Sequence, residues 1–380
     1  MPRILDAALS LKVFKIGGVE VNFHYSWFVI FVLITWSLAV NYLPSQYPDQ
    51  SQSFYWTVGV ISAASLFLSV LVHEVSHSFV ARRGGLGVRR ITLHFFGGVA
   101  EIEEEARTPA LEFKMAAAGP LSSLVLALSF MAAWSFAVTV DIPLGIRAPM
   151  RYISYINFML AAFNLVPAFP MDGGRILRAF LWRRNGSLLS STRTATQVSN
   201  VFSYTLMFLG MTSLLFSSMF NGLWFLLMGL FIKRSAEANM NSILIGEALE
   251  GVKVGDIMTR DVHTVGPNFT IQRLVDEYFM TYKHGGFPVL YEGQLVGLVT
   301  EHDIRQIHRE KWRQVTVRDI MKPAEELVTV TPESKASDAL LLMSKEEIGR
   351  LPVVEKKHLV GLITRSDIMR AIRIRLQFKF

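Results

Sequence analysis

Residues 54–81 form a nearly unbroken apolar run, yet His73, Glu74 and His77 stand inside it. A helix needs about 20 apolar residues to cross a bilayer, and this run is long enough. Ionisable side chains at that depth are expensive and by default mark a functional site. The fold must therefore satisfy its backbone within helices and give three titratable side chains a shielded common destination.

Further apolar runs occupy residues 25–43, 115–138, 152–169, 199–216 and 220–232, so about six spans are expected. The last run is short, and a re-entrant hairpin formed by the last two is an alternative. With 51% hydrophobic and 18% charged residues among 380, an ordinary soluble protein is excluded. Beyond Lys233 the chain becomes mixed in character. The expected division is a polytopic α-helical membrane domain at 1–235, a linker at 236–250 and a soluble α/β region at 251–380. Residues 1–18 lack the compact apolar core of a cleavable signal peptide. The net charge of +7 does not imply a nucleic-acid partner. Basic residues cluster at alternate ends of the runs, whereas the intervening loops hold Arg147, Arg151 and little else. The positive-inside rule then predicts a multi-pass protein of the cell membrane with a cytoplasmic N-terminus and C-terminal region.

There is no cysteine, so a tightly held transition metal must rest on His, Asp and Glu. The stretch HEVSH, residues 73–77, spaces two histidines four apart. One helical turn separates them on one face, so both imidazoles can reach a single zinc ion. Glu74 beside them is placed to take a proton from water. A third ligand candidate lies downstream, where Asp172 follows Pro167 and Pro170 and precedes Gly173 and Gly174. Prolines stop a helix and glycines permit a tight turn, so a membrane helix is expected to break just before this aspartate. In a soluble loop such an aspartate is ordinarily a turn residue. Here it stands at the same expected membrane face as the histidines.

HEVSH followed by NLVPAFPMDGGR resembles the site-2 protease family of intramembrane zinc metalloproteases, in its bacterial and archaeal form with a cytoplasmic regulatory domain. FGGVA at 96–100 and AAAGP at 116–120 are similar to family features as well. The resemblance implies one zinc per chain on His73, His77 and Asp172, with Glu74 as general base and Asn164 beside the metal. It further implies that residues 94–105, through Phe96, Gly97, Gly98 and Val99, form a strand that pairs with an unwound transmembrane substrate. A substrate helix has its carbonyls engaged and must unwind before water can attack; an edge strand would then supply backbone partners.

Beyond Gly251 the sequence repeats. DIM recurs at 256–258 and 319–321, FPVL at 287–290 answers LPVV at 351–354, and GLVTEHDI at 297–304 answers GLITRSDI at 361–368. Each unit reads as strand, helix, two strands and helix. The units, about 251–310 and 315–376, resemble a tandem pair of CBS domains. Such pairs commonly bind adenine nucleotides (ATP, ADP or AMP) and often associate in twos. The family's nucleotide pattern matches at Gly297, Thr300 and Asp303 and again at Gly361, Thr364 and Asp367. The alternative is that these threonines and aspartates cap the helices that follow.

The function expected is intramembrane proteolysis near the cytoplasmic face, gated by a nucleotide-sensing CBS pair, with lipid bilayer and a transmembrane protein as partners. The rival is a CBS-regulated transporter or channel, which has no need of Glu74 as a base. His24 and His94 lack helical spacing to a partner and are expected to be structural. Glu101 and Glu103–Glu105 are expected to form a solvated acidic loop.

Overall fold

The computed structural model describes residues 10–95, 97–102, 105–216, 218–356 and 358–378. Backbone contacts divide the chain into two compact units, Met1–Ile243 and Leu244–Phe380.

The first unit opens with a hairpin that the sequence analysis did not anticipate. Strand β1 (Ser10–Ile16) turns through Gly17 and Gly18, both at positive φ, into β2 (Val19–His24). The glycine pair supplies the left-handed backbone of a tight turn. Strand β2 then pairs in parallel with β3 (Val88–His94), which pairs antiparallel with β4 (Gly97–Ile102). The sheet order is β1-β2-β3-β4, which leaves β4 on an edge. Val19, Val21, Ile91 and Leu93 pack one face of the sheet against Leu71 of the helix that carries HEVSH.

Four helices are long and apolar enough to cross a membrane among the described residues: α1 (Tyr25–Gln46), α2 (Gln52–Arg83), α3 (Pro109–Thr139) and α6 (Leu188–Phe216). The other two expected spans differ in form. The run at 152–169 lies in α4 (Leu144–Asn164), which holds Arg147 and Arg151 and stops short of Pro167. The run at 220–232 begins α7 (Met219–Ala248), which passes Lys233 and Arg234 and stays helical through most of the expected linker. Between them lies α5 (Asp172–Asn185), closed by Gly186 in the left-handed conformation.

The acidic stretch is not simply solvated. Glu101 pairs with Arg90 across the β3–β4 ladder at 2.9 Å, and Glu105 reaches buried Arg178 at 3.3 Å. Counter-charges on neighbouring elements recruit both, which a charge-run reading cannot foresee. Glu103 and Glu104 lie outside the described residues.

In the second unit each repeat contributes an antiparallel pair. These are β5 (Gly286–Tyr291) with β6 (Gln294–Thr300), edged by the two-residue β7 (Lys322–Pro323), and β8 (Arg350–Glu355) with β9 (His358–Thr364). The expected first strand of each repeat shrinks to one parallel bridge, Val265 to Val289 and Val330 to Val353. The packing exchanges segments between the repeats. Val254 is buried with Ala336, Leu351, Ile363 and Ile368, whereas Val317 is buried with Val265, Phe287 and Val299. Gly361 and Gly297 make this exchange fit: a Cβ there would stand 2.7 Å from Sδ of Met258 and of Met321, respectively. Neither repeat closes a core alone, as expected of a stacked repeat.

Candidate metal centre

Helix α2 starts at Ser51, whose hydroxyl accepts from the Phe54 amide, and continues without a break to Arg83. One uninterrupted helix therefore carries His73 and His77 a turn apart. Both rings are buried, at 4% and 7% exposure, and Asp172, the first residue of α5, is 8% exposed. Nε2 of His73 lies 3.1 Å from Oδ2 of Asp172, and Nε2 of His77 lies 3.2 Å from the same oxygen.

The opposite ring nitrogens orient both rings, and at His77 the contact also has a fixed direction. Nδ1 of His77 donates to the carbonyl of Met115 at 2.6 Å, which leaves Nε2 with its lone pair. Nδ1 of His73 is 2.9 Å from the Ser123 hydroxyl. In the neutral rings with Nδ1 protonated, both Nε2 atoms present lone pairs beside a carboxylate oxygen, an arrangement suited to a cation between them. Tetrahedral zinc with ligands at about 2.0–2.1 Å sets its donor atoms about 3.3 Å apart, close to the spacing here. His73, His77 and Asp172 are the described residues whose donor atoms converge in this way, all within 4.8 Å of one another.

Helix α3 supplies the back of the cradle. Met115, Gly119 and Ser123 recur every fourth residue and present one stripe to the histidines. A Cβ at Gly119 would stand 2.2 Å from Nε2 of His77 and 2.5 Å from Nε2 of His73. The missing side chain leaves room where an ion would lie, so the residues present fit zinc. Of this stripe, Gly119 lies in the AAAGP stretch that resembles a family feature, whereas Met115 and Ser123 carried no functional expectation from sequence. The small-residue spacing of Gly119 and Ser123 is a signal that helices approach closely, and it was legible.

Asp172 is seated by main chain. After α4 ends, the Ala168 amide donates to the Val166 carbonyl and the Met171 amide to the Ala168 carbonyl. The Phe169 amide donates to Ser199 on α6 at 2.8 Å. A Cβ on Gly173 would meet the Leu165 and Val166 carbonyl oxygens at 2.3 Å, so α5 rests directly on this turn.

Glu74 is half-buried beside the cluster, and β4 lies against it. A Cβ on Gly98 would be 2.3 Å from Cγ of Glu74. Gly97, Gly98 and Val99 pair with His94, Leu93 and Thr92, which leaves the other side of β4 as the sheet edge. Phe96 lies outside the described residues. Asn164, the last residue of α4, donates its side-chain amide to the Leu160 carbonyl at 3.0 Å. Among the described residues no hydrogen bond joins it to the histidines or to Asp172. Buried Asn157 instead links α4 to α2, donating to Ser69 at 2.9 Å. His24 caps α1, its ring accepting from the Ser26 amide.

In the second unit, Oδ2 of Asp303 accepts from the amide and hydroxyl of Thr300 at 2.8 and 2.7 Å, at the start of α8 (Glu301–Arg305). Asp367 does the same with Thr364 at 3.0 and 2.6 Å, at the start of α9 (Arg365–Phe378). These are capping boxes. Thr316 and Asp319 form a third, outside the nucleotide pattern, so capping alone does not single out a ligand site.

Residues 61–143 and 139–210 match the family described as Peptidase family M50, and residues 254–310 and 317–374 match CBS domains. The chain is 34% identical over 368 residues to zinc metalloprotease Rip3 of Mycobacterium tuberculosis, covering 95% of this chain and 92% of that one. It is 31% identical to a zinc metalloprotease of Methanocaldococcus jannaschii, covering 96% of each. Among solved structures, the site-2 protease of Methanocaldococcus jannaschii is 29% identical, with a TM-score of 0.41 over 60% of this chain and 94% of that one. The expected alternative of a transporter or channel finds no support in these matches.

Proposed function

Because the chain belongs to Peptidase family M50, the site-2 proteases, and is a multi-pass membrane zinc metalloprotease with tandem CBS domains, we propose that it cleaves a transmembrane protein near the cytoplasmic face under nucleotide control. The observation that carries this reading is the convergence of two imidazole nitrogens and one carboxylate oxygen beside Glu74, under the open edge of β4.

His73, His77 and Asp172 would hold one zinc ion. When bound, zinc polarises the scissile carbonyl and makes water acidic enough to attack near neutral pH. Met115 and Ser123 orient the two rings through Nδ1. Glu74 accepts the proton of the attacking water and passes it to the leaving amide nitrogen. An unwound substrate segment adds to β4 along Gly97, Gly98 and Val99, which returns the backbone hydrogen bonds that unwinding removes. Asn164 stands by as a polar group toward the substrate. The membrane part spans about 1–235 and the regulatory pair 251–380, with the N-terminus and the pair in the cytoplasm.

Metal analysis of the purified chain tests the ligand set. The parent should carry about one zinc per chain, and His73→Ala or Asp172→Asn should leave it with little, since either leaves two protein ligands. Full zinc in both variants would remove the reading.

We place an adenine nucleotide between the CBS repeats, near Asp303 and Asp367. Each uses Oδ2 for its cap, which leaves Oδ1 to accept from ribose hydroxyls. The pair also offers a surface for dimerisation. Calorimetry with ATP, ADP and AMP should show binding that Asp303→Ala with Asp367→Ala weakens at least tenfold. Absence of heat at millimolar nucleotide would leave the repeats as an assembly or docking module.

A further inference from the structure

Among the described residues Arg178 is the largest side chain buried completely, 1% exposed, and the chemistry above does not use it. Its guanidinium ties three segments together. Nε donates to Oε1 of buried Glu112 on α3 at 2.6 Å, Nη1 to Oδ1 of Asn239 on α7 at 3.2 Å, and Nη2 to Oε2 of Glu105 at 3.3 Å. It also lies over the Phe169 ring, 5.6 Å from its centre. Space alone does not call for such a group, because well-packed apolar residues often replace a buried ion pair without loss of stability.

Each tether leads to the metal cluster by a short path. Glu112 lies one turn before Met115, on the helix whose stripe faces both histidines. Arg178 is on α5, which begins with Asp172, and Phe169 belongs to the turn that leads into it. Asn239 is the third member of a stripe along α7. Ile232 is buried with Ala168 and Met171, and Ala236 with Phe169. Spacings of four and three put Ile232, Ala236 and Asn239 on one helix face. That face meets the turn before Asp172 at two levels and Arg178 at a third.

We propose that Arg178 is a positioning residue for Asp172, and that its bond to Asn239 makes the seat of that carboxylate depend on α7. The inference rests on Asp172 being the third zinc ligand. Through Glu112, Arg178 fixes the register of α5 against α3, so Asp172 Oδ2 meets both Nε2 atoms at once. Through Asn239, a shift or rotation of α7 reaches α5 without passing through the histidines.

The test measures zinc release from the full-length protein into a chelator. Arg178→Met combined with Glu112→Leu removes both buried charges; Glu105, the remaining partner, is exposed and returns to solvent, so no buried ion is orphaned. Zinc should leave this variant about 10–100-fold faster, the usual effect of removing a group that orients a ligand, while the thermal midpoint stays at the parent value. Arg178→Lys keeps the charge but loses the planar fork, and should release zinc at an intermediate rate. Asn239→Leu cuts only the tie to α7; it should quicken release severalfold and lower kcat with KM retained. If the double variant does not fold, the lysine and asparagine variants carry the test. Parent-like release in Arg178→Lys and Asn239→Leu would overturn the proposal. A parent chain that binds no zinc would instead overturn the function reading, and this inference with it.

Discussion

Gly119→Ala should abolish zinc binding and proteolysis together while leaving the protein folded. The added methyl would stand 2.2 and 2.5 Å from the two Nε2 atoms, inside the space where an ion must lie. Glycine to alanine within a helix ordinarily stabilises it by about 1 kcal/mol. The variant should therefore separate folding from function: helicity is kept, metal is lost, and cleavage falls below detection. Metal analysis beside circular dichroism reads both. A variant that retains stoichiometric zinc would mean that the two imidazoles do not face α3 as described.

Glu74→Gln should behave in the opposite way toward metal. Glutamine keeps the size of the side chain, and so its contact with Gly98, but cannot take a proton. Zinc should stay at the parent level while cleavage drops by about 10²–10⁴-fold, the usual contribution of general acid–base catalysis. Comparing membrane peptides from cells that express the parent or this variant would also identify the substrate, as the fragments present only with the parent. Near-parental turnover would show that another group carries the proton.

What the sequence conveyed, and what it withheld, follow from the range of the interactions involved. HEVSH is local: one helix fixes the spacing of His73 and His77, so five letters suffice. Asp172 is about a hundred positions away, and only the proline and glycine punctuation around it hinted at a broken helix meeting the same face. The β1–β2 hairpin shows in sequence only as a short alternation around Gly17–Gly18, a weaker signal than the long apolar runs that follow it. In sequence Arg178 is one more basic residue in a cluster after an apolar run. Its partners Glu112, Glu105 and Asn239 come from three distant segments, and no periodicity links them. The exchange between the CBS repeats was hidden for a related reason. A repeat in sequence shows that two units are alike, but not which copy of DIM lies against which glycine.

The seat of Asp172 is made of backbone resting on backbone, with Gly173 against the Leu165 and Val166 carbonyls and Gly174 against Ala168. Side chains yield by changing rotamer; a peptide plane pressed against another has no such slack. This joint is therefore stiff. The same stiffness restricts how the enzyme can be switched: the carboxylate moves only when a whole helix carries it, as a lever moves its tip. Side chains such as Arg178 then act by setting where that helix lies, and the travel of rods is the form control takes.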